Sequence, residues 1–505
     1  MRILVELISL VNKHRHAPKA LKIIGFKCNS TQARLYDGVS SLGWQDDRTA
    51  QAGLQDVISS YSSYSRAKNQ LRDTLLDALF FLPPESADAE GYEERFFQAY
   101  KLMVQVKMLL RRDARRPAIL LAERVIKEAE EGQFTLLGLE AASMLRHHYA
   151  TIEGNRSRFE FYKNKTNEIL ELYKAELESD IFLEDLYSRY ARRHSLSHDV
   201  FELAQGYEKV IEENPYLESS LRLQHRLRMV RVIKWNSVHE YEKTIEVSRE
   251  AVHFLKAQGS IPNSMIRSFL YQIIVNALQL QRIRLGKSTL QKLSLLVPPG
   301  STLALRVQEL HFNFAMHTGA YEEAVNIFTQ VQSHRRFNDL YPASREIWNI
   351  YRGYLYLLGE LSHLDEQSSQ RLKSHPFRMQ KLLNETGTLA ADKKGLNSSI
   401  FFLQCFLALL DKNDDLLFQH LEALRRYASR YLKTKDANLR SYYFAQVLTR
   451  LPDAHYSSRR LKTVSKHWEE QLRATPIQHS RIGFSTEVLP YEVLLDGLYC
   501  ILEKN

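Results

Sequence analysis

Apolar residues recur along this chain at three- and four-residue steps, the spacing of one buried face per helix. In the stretch 301–332, Leu305, Phe312, Ala315 and Met316 form one such face, and Ile327, Phe328 and Val331 form a second. Between them stands Gly319-Ala320-Tyr321-Glu322-Glu323-Ala324. Glycine supplies the backbone freedom of a tight connection and small Ala324 lets the second helix lie close on the first, so this stretch predicts a helix pair. A pair of this kind cannot bury both its faces and needs neighbours.

Upstream, the same pattern predicts helices at Arg2–Asn12, Thr31–Leu42, Arg48–Ile58 and Ser65–Leu82. In the last, Leu71, Leu75, Leu76, Leu79, Phe80 and Leu82 mark the expected buried face, and Arg66, Lys68 and Arg72 the wet one. Pro83-Pro84 should end it, because proline lacks the amide proton and restricts the residue before it. The expected organisation is a helical module at 1–82, a linker at 83–91, and a helical array at 92–474. A loop and a capping helix, Pro490–Leu502, should close the chain over 475–505.

Within the array, turns are expected at Gly132, Gly154-Asn155, Asn214-Pro215, Asn236, Gly259, Gly286, Pro298–Gly300, Gly319, Tyr341-Pro342, Gly359, Lys412-Asn413, Pro452 and Pro476. Gly286 and Gly319 stand 33 residues apart, close to the ~34 of a two-helix repeat. No stretch alternates like a strand. The expected fold class is all-α, an α-solenoid of helix-turn-helix repeats.

The order Gly319-x-Tyr321-Glu322-Glu323-Ala324 resembles the opening of the second helix of a tetratricopeptide repeat. Leu35–Val39 (LYDGV), Leu75–Leu82 (LLDALFFL), Ala118–Lys127 (AILLAERVIK) and His147–Asn155 (HHYATIEGN) are similar to segments of a family of helical-repeat proteins from Bacteroidota. That resemblance implies architecture and a bacterial origin, and brings no activity or site residue with it.

Composition narrows the picture further. The 505 residues are 44% apolar and 25% charged, which suits a packed protein, and 13 prolines and 19 glycines are few for a turn-rich β fold. Cys28, Cys405 and Cys500 lie far apart, as expected of reduced, mostly buried thiols in a cytoplasmic protein. The opening stretch is interrupted by Glu6 and reads as an amphipathic helix rather than a leader. No run reaches the ~20 apolar residues of a membrane span.

Three stretches imitate chemistry. Leu285-Gly-Lys-Ser-Thr289 copies the tail of a phosphate-binding loop, but Gln281 stands where its first glycine belongs. Asp411, Asn413, Asp415 and Glu422 match oxygen-ligand positions of a calcium loop, yet Leu416 occupies the glycine position, and capping of a helix start explains the acids better. His194 and His198 are four apart and His147 adjoins His148, without a third ligand at metal spacing. No nucleophile elbow occurs, and the many carboxylates suit ion pairs along helices. The expectation is a protein that is no enzyme and carries no cofactor or metal.

Charge points to a partner. The chain carries 69 lysines and arginines against 59 acids, a formal +10. Thirteen basic residues against four acidic ones fall between Arg425 and Arg481. Arg425, Arg426, Arg430, Tyr431, Arg459, Arg460, Lys462 and Lys466 are the candidate partner-binding residues. Interleaved with the basic run are Tyr427, Tyr442, Tyr443, Tyr456 and Trp468. Cations beside aromatic faces suit an acidic peptide or protein segment, or a nucleic acid. The leading expectation is a scaffold that binds a protein or peptide ligand on a curved surface. The alternative is a nucleic-acid-binding regulator in which Arg48–Ile58, the Ser/Tyr turn 59–65 and Ser65–Leu82 form a divergent helix-turn-helix. Two smaller basic groups, Arg111, Arg112, Arg115 and Arg116, and Arg222, Arg226, Arg228, Arg231 and Lys234, complete the inventory; the second falls on more than one helix face.

Overall fold

The computed structural model describes residues 1–13, 30–58, 60–82, 91–191, 197–259, 261–334, 336–374, 376–377, 396–433, 439–475, 477 and 487–504. Among them there are helices and no strands, and consecutive helices pack on one another: the protein is an all-α helical-repeat solenoid. The chain forms two compact units, Met1–Leu170 and Glu171–Asn505.

The first unit opens with four helices, α1 (Arg2–Lys13), α2 (Thr31–Ser41), α3 (Asp47–Ala52) and α4 (Tyr61–Leu79). Leu4, Leu7, Ile8 and Val11 of α1 meet Leu35, Leu54, Leu71 and Leu75 in one small core. The helix expected at Arg48–Ile58 is shorter, because the chain turns at Gly53. The Trp44 indole fills that corner: a Cβ on Gly53 would lie 2.1 Å from its ring, and one on Gly38 2.2 Å. The Ser/Tyr stretch before α4 is helical rather than a turn. Ser60 caps the helix by accepting from the Ser63 amide, so α4 starts at Tyr61 and not at Ser65. Its buried face is Tyr64, Ala67, Leu71, Leu75 and Ala78, whereas Leu76 and Phe80, expected inside, are exposed. They stand about 100° around the helix from Leu75 and Leu79, a rotation that one wrong register step produces. The linker expected at 83–91 lies, except for Gly91, outside the described residues.

Three longer helices follow in that unit, α5 (Tyr92–Arg111), α6 (Arg115–Gly132) and α7 (Thr135–Thr151), around a second core of Met103, Val106, Ala118, Ala122, Ala141, Ala142 and Leu145. Alanines on facing helices let the backbones approach. The division between the two units falls inside α8 (Arg156–Ala191).

The second unit runs through α9 (Ser197–Glu212), α10 (Leu221–Ser237), α11 (Tyr241–Lys256), α12 (Asn263–Gln279), α13 (Ile283–Leu295), α14 (Thr302–His317), α15 (Tyr321–Gln332), α16 (Pro342–Glu360) and α17 (Glu366–Leu372). It ends with α18 (Leu396–Leu410), α19 (Asp414–Tyr427), a π-helical turn Ala428–Leu432, α20 (Leu439–Leu448), α21 (Ser458–Val464), α22 (Lys466–Ala474) and α23 (Tyr491–Lys504). The closing helix expected at Pro490–Leu502 is thus present, and Tyr491 stacks on Phe444 at 4.8 Å.

One backbone device recurs at eight of the turns. Asp113, Gln133, His239, Gln281, Gly319, Ser362, Lys412 and His455 all have positive φ. In each case the next amide donates to the carbonyl five residues earlier, as Ala320 does to Ala315 at 3.0 Å and Arg282 to Ala277 at 2.7 Å. This is the Schellman closure of a helix C-terminus. Only one of the eight is glycine, so most of these turns leave no glycine in the sequence. Gly286 and Gly359, expected as turns, lie inside α13 and α16. Gly286 is small for packing: a Cβ there would meet the Phe314 ring at 2.2 Å. The true turn is at Gln281, which is 38 residues before Gly319 and 42 after His239. The spacing is therefore longer and less regular than the Gly286–Gly319 interval suggested.

Candidate functional site

The basic residues of the second unit fall into two classes. On α10 each cation is engaged. Arg226 Nε meets Asp180 at 2.6 Å, Arg222 pairs with the same carboxylate, and both acceptors sit on α8. Arg231 meets Glu208 of α9 at 2.8 Å, Lys234 pairs with Glu208 as well, and Arg228 lies 3.9 Å over the Phe254 ring. The several faces seen in the sequence correspond to α8, α9 and α11, each of which takes its share. His225 on the same helix is buried and contacts Ser268 Oγ at 3.1 Å; burial first, and Arg226 second, push it down to about 3. This cluster fastens helices together.

The run after Arg425 behaves otherwise. Arg425 pairs with Glu422 at 3.1 Å and donates to the Thr449 carbonyl at 3.1 Å, reaching the C-terminal end of α20. At that same end Arg450 lies 5.1 Å over Trp468 of α22. Arg426 donates to the Glu422 backbone carbonyl at 3.3 Å, and Arg430 lies 5.4 Å over Tyr431. Lys462 stands 3.8 Å from Glu503 and 4.6 Å over Tyr499. Arg459 and Arg460 on α21 and Lys466 at the start of α22 are exposed and have no acidic partner among the described residues. The candidates thus lie on α19, the π turn, α21 and α22; α19, the π turn and α22 pack on α20. Lys435 and Arg481 lie outside the described residues.

The aromatic residues do not form an open stacking face. Tyr427 is buried, while Tyr431, Tyr442, Tyr443, Tyr456 and Trp468 pack against the core. Tyr442 and Tyr443 lie 5.9 and 6.1 Å from Trp468. Their helical spacing reflected packing. Arg440 is likewise removed from the surface: at 5% exposure it meets Glu487 and Glu492 at 2.8–2.9 Å and the Leu472 and Thr475 carbonyls at 2.8 Å. His317 of α14 donates from Nε2 to the Glu487 carbonyl at 2.7 Å. In the sequence Arg440 is one of the thirteen basic residues of that run; Ser441 and Phe444 beside it are buried as well.

The imitations resolve simply. Ser288 and Thr289 donate to the Leu285 carbonyl inside α13, so that stretch is helix interior and no phosphate loop. Asn413 caps α19 through the Leu416 amide at 3.0 Å, with Asp414 and Asp415 in the first turn. His194 and the His198 side chain lie outside the described residues, and no three metal-ligating side chains gather among the described residues. Cys405 is buried, its thiol pushed up to about 12 by burial, but Cys500 is exposed and departs from the expected buried pattern. Cys28 lies outside the described residues. In the N-terminal module, Lys68 meets Asp47 at 2.6 Å and Arg72 meets Asp73 at 2.8 Å. The cations proposed for DNA contact are therefore partly spent within the module. No helix is long and apolar enough to cross a membrane among the described residues.

A buried polar group was not visible in the sequence. Glu309 on α14 lies 3.4 Å from the Tyr351 hydroxyl of α16, which also accepts from Asn313 at 3.0 Å. Burial pushes Glu309 up to about 8 against the opposing pull of Tyr351 and Arg306, so it holds its proton near neutrality. Comparison of the chain with family models, curated proteins and solved structures found no match.

Proposed function

We propose that this protein is a non-enzymatic helical-repeat scaffold that holds an acidic peptide or protein segment on the basic surface formed by α19 through α22. The observation that carries this reading is the set Arg459, Arg460 and Lys466: exposed, carried on α21 and α22, and without a carboxylate partner among the described residues. Arg425 of α19 reaches the C-terminal end of α20, where Arg450 lies over Trp468 of α22. A preset surface of this kind recognises by geometry and charge and needs no cofactor. Electrostatic attraction of this sort acts over roughly 10 Å at 0.1 M salt, so binding weakens steeply as salt rises.

The test is titration of the full chain with a fluorescent poly-glutamate peptide and a poly-glutamine control. Saturable binding of the first alone, lost in a combined Arg459→Glu, Arg460→Glu, Lys466→Glu variant, supports the proposal. Equal affinity for both peptides, or binding untouched by the charge reversals, overturns it. Preferential capture of a DNA duplex by the same surface would transfer the role to nucleic acid.

A further inference from the structure

A cleft in the first unit is built independently of the surface just described. It opens between α5, α6 and α7 and has a volume of about 360 Å³, within the range of roughly 300–1,000 Å³ that small-molecule sites occupy. Its apolar lining is Val106 and Leu110 from α5, Ile119 from α6 and Met144 from α7, with the half-exposed Ile152 just past the end of α7. Its rim is polar, with Arg115 from α6 and Glu140, Ser143, His147 and His148 from α7.

Two charged side chains line that rim, Arg115 and Glu140. Glu140 pairs with Lys107, 2.5 Å away. Arg115 gives its Nε to Asp113 at 2.8 Å, and the rest of its guanidinium has no carboxylate among the described residues. The turn where α5 ends and α6 begins also carries Arg111, Arg112 and Arg116, none of them in an ion pair among the described residues. The first turn of α6 adds to this, since Ala114 provides no side-chain cap and the helix dipole places partial positive charge there. Apolar side chains beside an arginine with donors to spare are complementary to one kind of molecule.

We infer that this cleft binds a small carboxylic acid with an apolar body, its carboxylate at Arg115 and its chain or ring on Val106, Leu110, Ile119 and Met144. The cleft belongs to the first unit, and its assignment does not rest on the peptide-binding reading. Ser143 offers a hydroxyl to the second carboxylate oxygen. A guanidinium–carboxylate contact is charge-assisted and can be two-pronged, so losing it should cost up to about tenfold in affinity.

Isothermal titration of the full chain with decanoate, decanol and decyltrimethylammonium tests this. Expected is saturable binding of decanoate, with decanol about tenfold weaker and no binding of the cation. Arg115→Gln should bring decanoate down to the decanol level, and Ser143→Phe, which fills the cleft, should abolish both. Unchanged thermal melting of Arg115→Gln separates lost binding from lost folding. No saturable decanoate binding, equal binding of decanoate and decanol, or indifference to Arg115→Gln overturns the assignment. Displacement of decanoate by the poly-glutamate peptide would also overturn it, by making the cleft part of a peptide surface.

Discussion

Helix α10 and the helices after Arg425 are both rich in arginine, yet they use it in opposite ways. Around α10 every guanidinium and the Lys234 ammonium finds a carboxylate on α8 or α9 or an aromatic face on α11. On α21 and α22 the cations face solvent, with Arg459, Arg460 and Lys466 unpaired among the described residues. A cation between helices must be paired, because desolvation penalises a lone charge. A cation at the surface has no such need, and one left without an acid remains available to a partner. The difference lies in what the neighbouring helices present to each cation.

Arg440 sharpens the contrast, because it belongs to the second run by sequence and to the first class by environment. Replacing it with methionine takes the guanidinium away from Glu487 and Glu492 and from the Leu472 and Thr475 carbonyls. The expected loss is about 3–5 kcal/mol, the largest here, read by denaturant unfolding. A loss below about 1 kcal/mol would place Arg440 with the surface cations.

Next comes Glu208→Gln, which removes the carboxylate shared by Arg231 and Lys234. Lys234 is only 10% exposed, so the cost should be about 2 kcal/mol. An unchanged melting temperature would break the comparison.

The buried His225 gives α10 a pH signature. Its folded value of about 3 lies below the ordinary 6.5, so it stays neutral while the unfolded chain takes up a proton. Its contribution is present above 6.5 and is lost as pH falls from there toward 3, at up to about 1.4 kcal/mol per pH unit. His225→Gln should flatten that part of the stability–pH curve. A slope identical in the variant would show that other groups cause it.

The smallest effect on folding belongs to the exposed set. Arg459→Glu, Arg460→Glu and Lys466→Glu should each change stability by no more than about 0.5 kcal/mol, while together they abolish binding of the acidic peptide. Substantial unfolding would mean that these residues carry structure.

The helical class, the Gly319 hairpin and the closing helix near Tyr491 were legible because they follow from apolar periodicity and one glycine turn. The turn at Gln281 was not, since its left-handed residue carries an ordinary side chain and only the Arg282–Ala277 hydrogen bond marks it. Gly286 misled for the matching reason: it is small to admit Phe314, and helical spacing cannot distinguish a packing glycine from a turning one. The exposure of Arg459, Arg460 and Lys466 was consistent with the basic run, but their separation from Arg440 and the aromatics was not written there.

By itself, then, the sequence determined that this chain makes amphipathic helices joined in succession, because periodicity and propensity act within a few residues. Only the tertiary structure decided which cations are spent and which are free, where the apolar cleft at Arg115 opens, and which glycines bend the chain. Those outcomes depend on what a side chain meets across a helix–helix contact, and such partners stand tens of residues away.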